Sequence, residues 1–171
     1  SDLNVQHRAL HDLVLMMGFF MAWLGWFLLV FQFSQTDLGL MDVAGMILCA
    51  GILFGALGIN TAHEMGHRRE KIFQNLSKVL LILPLYMHFY IEHNRGHHRR
   101  MATPEDPATA RRGETVYAFM FRSVVFGWLS AWSIEAHRLR GKGAMAHILH
   151  NQMLHFQLIQ VSAVTAVAVL L

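Results

Sequence analysis

Apolar residues in this chain come in long uncharged blocks rather than in the alternating or one-faced patterns of water-soluble strands and helices. Leu13 to Phe33 is 21 residues with no charge and a single Gln, and Val43 to Ala62 is equally free of charge. A third block begins near Met153 and continues to Leu171. About 20 such residues of helix cross a hydrocarbon core of roughly 30 Å, so the pattern predicts membrane spans at about 13–33, 43–62 and 153–171.

Two further apolar stretches are predicted not to cross. Val79 to Ile91 is too short, since 13 residues of helix cover about 20 Å, and Pro84 interrupts its hydrogen-bond ladder. Extending it back to Ile72 brings Asn75 and Lys78 into the apolar region. Residues 72–92 are therefore expected to follow a re-entrant or interfacial path. Residues 115–140 form an aromatic-rich helix, with Phe119, Phe121, Phe126, Trp128 and Trp132. It is expected to lie in the interface, because crossing would export Arg138, Arg140 and Lys142 to the wrong side. Between these stretches, Thr103-Pro104-Glu105-Asp106-Pro107 is turn material. Nothing suggests strands or repeats. The expected fold is all-α, an integral membrane helical bundle forming one domain over 1–171 with a cytosolic cap.

Composition agrees: 54% of residues are hydrophobic and only 15% charged, far from an ordinary soluble domain. The connection Ser34 to Asp42 carries Asp37 and Asp42 but no Lys or Arg, whereas Arg68, Arg69, Lys71, Lys78, Arg95, Arg99, Arg100, Arg111 and Arg112 crowd one region. Positive loops stay in the cytoplasm, so the first span is expected to run outward and the second inward. The net charge of +3 reflects this rim, and no nucleic-acid partner is expected. The single Cys49 lies inside the second span and permits no intrachain disulfide. The chain starts without Met, shows no signal-peptide pattern and ends inside an apolar run. It reads as an incomplete piece of a larger protein.

The chemistry is carried by histidines. His63-Glu64-Met65-Gly66-His67 and Glu92-His93-Asn94-Arg95-Gly96-His97-His98 each contain a pair four residues apart, the spacing that stacks side chains on one helix face. His98 stands one position off the second pair, to approach a metal from the flank or serve a second ion. Burying so many imidazoles without a ligand would leave many donors and acceptors to satisfy. Glu64, Glu92 and Asp106 could accept the other ring N–H of a ligand histidine, or pair with nearby arginines. His88, four residues before Glu92, is a candidate for the same supporting role. His7 and His11 share the spacing of the pairs but have no accompanying acid or third histidine, and His147, His150 and His155 are irregular. The glycines at 45, 51, 55 and 58 suggest a face for close helix packing.

The first cluster alone is a complete H-E-x-x-H, the pattern of zinc peptidases with Glu as general base. A membrane-embedded zinc metallopeptidase is accordingly the alternative reading. A catalytic zinc uses three protein ligands, however, and His93, His97 and His98 exceed what it needs. Five imidazoles suit two metals better, although imidazole serves zinc, copper, iron and nickel alike. A metal transporter would place polar ligands near the bilayer midplane rather than at helix ends.

The first cluster, the run Ile91 to Arg100, and the continuation Ala102-Thr103-Pro104-Glu105-Asp106-Pro107-Ala108-Thr109 through Arg112-Gly113-Glu114 together resemble the bacterial membrane-bound alkane 1-monooxygenase family. The xylene monooxygenases and fatty acid desaturases also carry histidine boxes. The resemblance implies a non-haem di-iron enzyme of the bacterial inner membrane, its active site cytosolic, within a protein of about six membrane helices. It implies hydroxylation of the terminal methyl of an alkane with O2, using electrons from NADH through rubredoxin reductase and rubredoxin. It implies iron ligation by His63, His67, His93, His97 and His98. The family's third histidine box and a further ligand are not found in this chain, so the piece is not expected to hold two irons by itself.

Overall fold

The computed structural model describes residues 2–35 and 37–171, and among them there is helix and turn but no strand. The fold is all-α, as the apolar blocks predict. The chain divides into two compact units, Ser1–Tyr86 with Ala163–Leu171, and Met87–Ser162. Three helical stretches are long and apolar enough to cross a membrane: Arg8–Ser34, Leu40–Gly66 and Gln152–Val169.

In the first unit, α1 (Asp2–Gln35) runs the full apolar block. The next stretch is one continuous helix with a change of winding inside it. It begins as α2 (Leu40–Ile52), widens into a π turn at Leu53–Gly58 and resumes as α3 (Ile59–Gly66). A π turn inserts one residue into the helical repeat and so rotates everything after it by about 100° relative to α2. The histidines of α3 are therefore aimed by that insertion and not by the register of the span before them. α3 packs on α1 and on α4 (Lys71–Leu80). Ser77 Oγ of α4 donates to the Ala62 carbonyl at 2.6 Å, and Met65, Leu80 and Leu81 are completely buried. α4 stops before Pro84, and the chain folds back through Tyr86 N–H to the Leu81 carbonyl, 2.9 Å.

Close helix approach does occur in this unit, but not on the glycine face that the sequence suggests. A Cβ built on Gly45, Gly51 or Gly55 would meet nothing within 4 Å, and at Gly58 only Phe54 of its own helix. None of α2 is buried among the described residues, so its glycines have no described neighbour to admit. The tight contacts lie instead on α1, where a Cβ at Gly18 would stand 2.7 Å from Thr61 Oγ1 and one at Gly25 would collide with Leu53.

In the second unit, a short turn Phe89–Ile91 (α5) leads directly into a second π turn, Glu92–His97, followed by His98–Arg100 (α6). A loop over 101–115 then enters α7 (Val116–Leu139), whose first turn is capped by Thr115 accepting from Ala118 N–H at 3.3 Å. A six-residue helix, α8 (Ala144–Leu149), precedes α9 (Gln152–Leu170). The loop is held to α7 by one guanidinium. Arg122 donates to both carboxylate oxygens of Glu114 at 2.7 Å, and to the carbonyls of Pro107 and Thr109 at 2.9 Å each. These bonds, with a backbone N–H from Arg111, draw the Glu114 carboxyl down to about 2.

Two outcomes follow from these contacts. Gly18→Ala should destabilise the protein in detergent by about 1–3 kcal/mol, because stiff, β-branched Thr61 cannot yield. Gly51→Ala should be neutral or stabilising by up to about 1 kcal/mol. Equal effects in a denaturant titration would refute the assignment of the α1–α3 approach. The Glu114 clasp has a lowered folded pKa, so its contribution is complete above its ordinary value of 4.5 and is lost as pH falls towards about 2. Amide protection over 101–114, corrected for intrinsic exchange, should drop across that window. In Glu114→Gln it should start lower at neutral pH and lose less on acidification, leaving only the part due to Asp106. Protection in the wild type that stays constant down to pH 2 would contradict the clasp.

Candidate metal centre

In the first unit, Thr61, Ala62, Met65 and Gly66 form the buried side of α3, which leaves His63, Glu64 and His67 on the outward side. His67 caps the helix, its N–H returning to the His63 carbonyl at 3.3 Å. The two rings meet edge to face with centroids 4.7 Å apart. Both imidazoles stand at a helix C-terminus, where the backbone dipole favours positive charge, a metal included. Glu64 lies 4.0 Å from His11 Nε2, with both side chains about half exposed, a contact of little energetic weight. Beside them Arg68 pairs with Asp12 and covers the Phe73 ring at 5.1 Å.

In the second unit the π turn does what an α-helix could not. In an α-helix His98 would stand about 140° round the axis from His93, since each residue advances about 100°. In a π turn the hydrogen-bonded partner is five residues on, and His98 returns to the same side as His93. Their Nε2 atoms are 3.1 Å apart, with ring centroids at 4.6 Å. His97 remains alongside, its centroid 5.3 Å from His93 and 5.7 Å from His98. Three consecutive-turn imidazoles thus share one face, and Phe89 stacks on His93 at 4.8 Å.

The residues fit a metal on their donor chemistry. Two imidazole nitrogens bound to one ion by bonds of about 2.0–2.1 Å are separated by about 3.0–3.4 Å, and the His93–His98 spacing of 3.1 Å lies in that interval. His97 Nδ1 faces Asp106 Oδ2 at 2.8 Å. Asp106 is completely buried and also accepts from Thr109 Oγ1 at 2.5 Å and Ala108 N–H at 3.1 Å. Burial would raise its carboxyl, but these donors outweigh it and hold the group below the ordinary carboxylate range. An ionised carboxylate can only accept, so His97 Nδ1 carries a proton, and Nε2 is the nitrogen left to face a metal.

Glu92 takes a different role from Asp106. Its carboxylate accepts from Arg100 Nη2 at 2.6 Å. Burial pushes it up, against the opposing pull of the Ser130 hydroxyl and Arg100. His88, also buried, is lowered to about 4 by desolvation and is therefore a neutral imidazole at pH 7. His150 and His155 are exposed, and the side chains of His7 and His147 lie outside the described residues.

Sequence reasoning missed α7's part in this unit. Glu135 is completely buried, accepting from Arg95 Nη1 at 2.7 Å, from Arg138 Nε and Nη2 at 2.9 and 2.7 Å, and from Gln152 N–H at 3.0 Å. Burial would raise its carboxyl; Arg138, Gln152 and Arg95 together hold it down. Arg95 sits between His93 and His97, so this carboxylate ties the ligand-bearing turn to α7. The signal was present: Glu135 is the one acid between Val116 and Leu139, and an acid in so apolar a helix needs a partner.

The first unit also has a half-open apolar cavity of about 510 Å3, lined by Trp23, Trp26, Ile82, Leu83, Leu85 and residues of α9.

Comparison with known proteins places this geometry. The family model described as fatty acid desaturase matches residues 39–171, which include both histidine clusters. The chain is 40% identical over 121 residues to an alkane 1-monooxygenase of Ectopseudomonas oleovorans, covering 71% of this chain and 30% of that protein. It is 45% identical over 107 residues to an alkane 1-monooxygenase of Acinetobacter baylyi, 61% of this chain and 26% of the relative. A xylene/toluene monooxygenase hydroxylase component of Pseudomonas putida is 33% identical over 112 residues, 66% of this chain and 30% of its own length. The chain thus spans about a third or less of the curated relatives it matches. The likeness to alkane 1-monooxygenases read from the histidine motifs is present along most of the chain, and on the match over 39–171 the chain belongs to the fatty acid desaturase family.

Proposed function

We propose that this chain is part of a membrane-bound alkane 1-monooxygenase, an oxidoreductase in which His63, His67, His93, His97 and His98 supply part of the ligand set of two non-haem irons. The reaction converts R–CH3, O2, NADH and a proton into R–CH2OH, water and NAD+. Electrons pass through rubredoxin reductase and rubredoxin. The observation that carries this reading is the imidazole face of the second π turn, with His93 and His98 nitrogens at 3.1 Å and Asp106 fixing His97, in a chain similar to named alkane 1-monooxygenases.

Bound iron would supply the activation of O2 that an unactivated C–H bond requires. The chain's own residues supply the rest. Asp106 orients His97 through Nδ1, which turns Nε2 towards the metal, and Glu135 and Glu92 anchor the histidine-bearing turn through arginines. An alkane has no polar handle, so its binding comes from apolar area at roughly 25 cal/mol per Å2. The Trp-lined cavity of about 510 Å3 is of a kind that receives such a molecule from the bilayer. The proposed setting is the bacterial inner membrane, with spans near 13–33, 43–62 and 153–171, and with 72–92 and 115–140 at the cytosolic interface. Arg99, Arg111 and Arg112 are exposed and would attract a small acidic electron carrier.

Metal analysis of the full-length protein purified in detergent tests this reading. About two irons per chain are expected, with His97→Ala losing most of the iron and lowering alkane hydroxylation at least about 100-fold. One zinc without iron, together with peptide hydrolysis abolished by Glu64→Gln, would overturn it in favour of the metallopeptidase.

A further inference from the structure

The second π turn is closed by a clasp that contains no histidine. Glu92, its first residue, and Arg100, three residues past its end, join directly through Arg100 Nη2 and Glu92 Oε1 at 2.6 Å. Eight residues of α-helix would separate the two by a rise of about 12 Å. The widened turn shortens that rise, and the two long side chains span the remainder. The pair crosses over Gly96, where a Cβ would stand 2.6 Å from both Arg100 Nη2 and Glu92 Cδ. On its other side Glu92 faces a second glycine, Gly127 of α7, at 3.8 Å from a built Cβ. The same Arg100 nitrogen donates to Ser130 Oγ of α7 at 2.7 Å.

We propose that Arg100 and Ser130 are positioning residues, which hold the Glu92–His97 segment in its π form and thereby place His98 on the face of His93. Neither touches the metal; both act through the winding of the turn. If the segment reverted to α-helix, the Glu92–Arg100 contact would open along the axis and His98 would swing away from His93. A side chain at Gly96 would stand where the clasp passes and would displace the Glu92 carboxylate and the Arg100 guanidinium. The inference rests on His93 and His98 being metal ligands, and it adds that an ion pair and a hydroxyl outside the ligand set determine whether they share one ion.

The test loads the full-length protein with cobalt(II) and reads its dissociation constant and visible ligand-field absorption, with thermal unfolding followed in parallel. Gly96→Ala and Arg100→Met should weaken cobalt binding by about 10–100-fold and alter the absorption band. Arg100→Lys should recover part of both, and Ser130→Ala, which deletes one hydroxyl, should give a smaller change of the same kind without moving the unfolding temperature appreciably. Wild-type affinity and band in Ser130→Ala and Gly96→Ala would overturn the inference. Should Arg100→Met fail to fold, Ser130→Ala decides. His93→Ala is the separate control: if it keeps the wild-type band, the ligand reading fails, whereas its loss beside unchanged Ser130→Ala and Gly96→Ala sinks the clasp alone.

Discussion

A helix that brings His93, His97 and His98, three imidazoles within six residues, onto one face cannot do so as an ordinary α-helix, because its winding turns a residue five positions on by about 140°. The π turn at Glu92–His97 resolves that conflict, and much of the second unit is arranged around keeping it. Such turns are rare and recur at functional sites. Here the cost of the widened winding is offset by side-chain bonds: Glu92 to Arg100 across Gly96, and Arg95, in the middle of the turn, to Glu135 on the neighbouring helix.

Those bonds are buried charges, and their energetics explain why α7 belongs to the site without contributing a ligand. Removing a carboxylate from water costs several kcal/mol unless it is paired and its remaining lone pairs are satisfied. Glu135 meets that condition with two arginines and a backbone N–H. The arrangement adds little net stability over an apolar core, but it is strict about geometry, since loss of one partner leaves a charge stranded. A ligand set benefits from such strictness. Small residues on α7, Gly127, Ser130 and Ala131, let the π turn come close enough for the clasp to form.

The first unit uses another means to the same end. Its π turn at Leu53–Gly58 lies ahead of the histidines and rotates α3 as a whole, while Ser77 and the tight Gly18–Thr61 approach hold α3 in place. His63 and His67 then keep regular α spacing and need no widened turn of their own. The arginines of the chain, those of the basic rim and those of α7, divide by what they touch. Arg68, Arg95, Arg100, Arg122 and Arg138 are committed to carboxylates, whereas Arg99, Arg111 and Arg112 remain exposed.

The sequence by itself determined the helical class, the apolar stretches and the two histidine clusters, because hydrophobic run length and i, i+4 spacing are local properties. Pro84 as a break in the helical ladder and Thr103–Pro107 as a turn were legible for the same reason. Other features needed the tertiary structure. A π turn has no residue signature, so the placing of His98 beside His93 could not be read from spacing calibrated on α-helix. The glycines at 45, 51 and 55 looked like a packing face, yet the close approaches fell at Gly18 and Gly25, since contact depends on which helix arrives opposite. Partners of Glu92, Asp106 and Glu135 include Arg100, His97 and Arg95, at 8, 9 and 40 residues' separation. Only folding decides which arginine or histidine a buried carboxylate meets, because desolvation obliges it to find a partner without specifying which one.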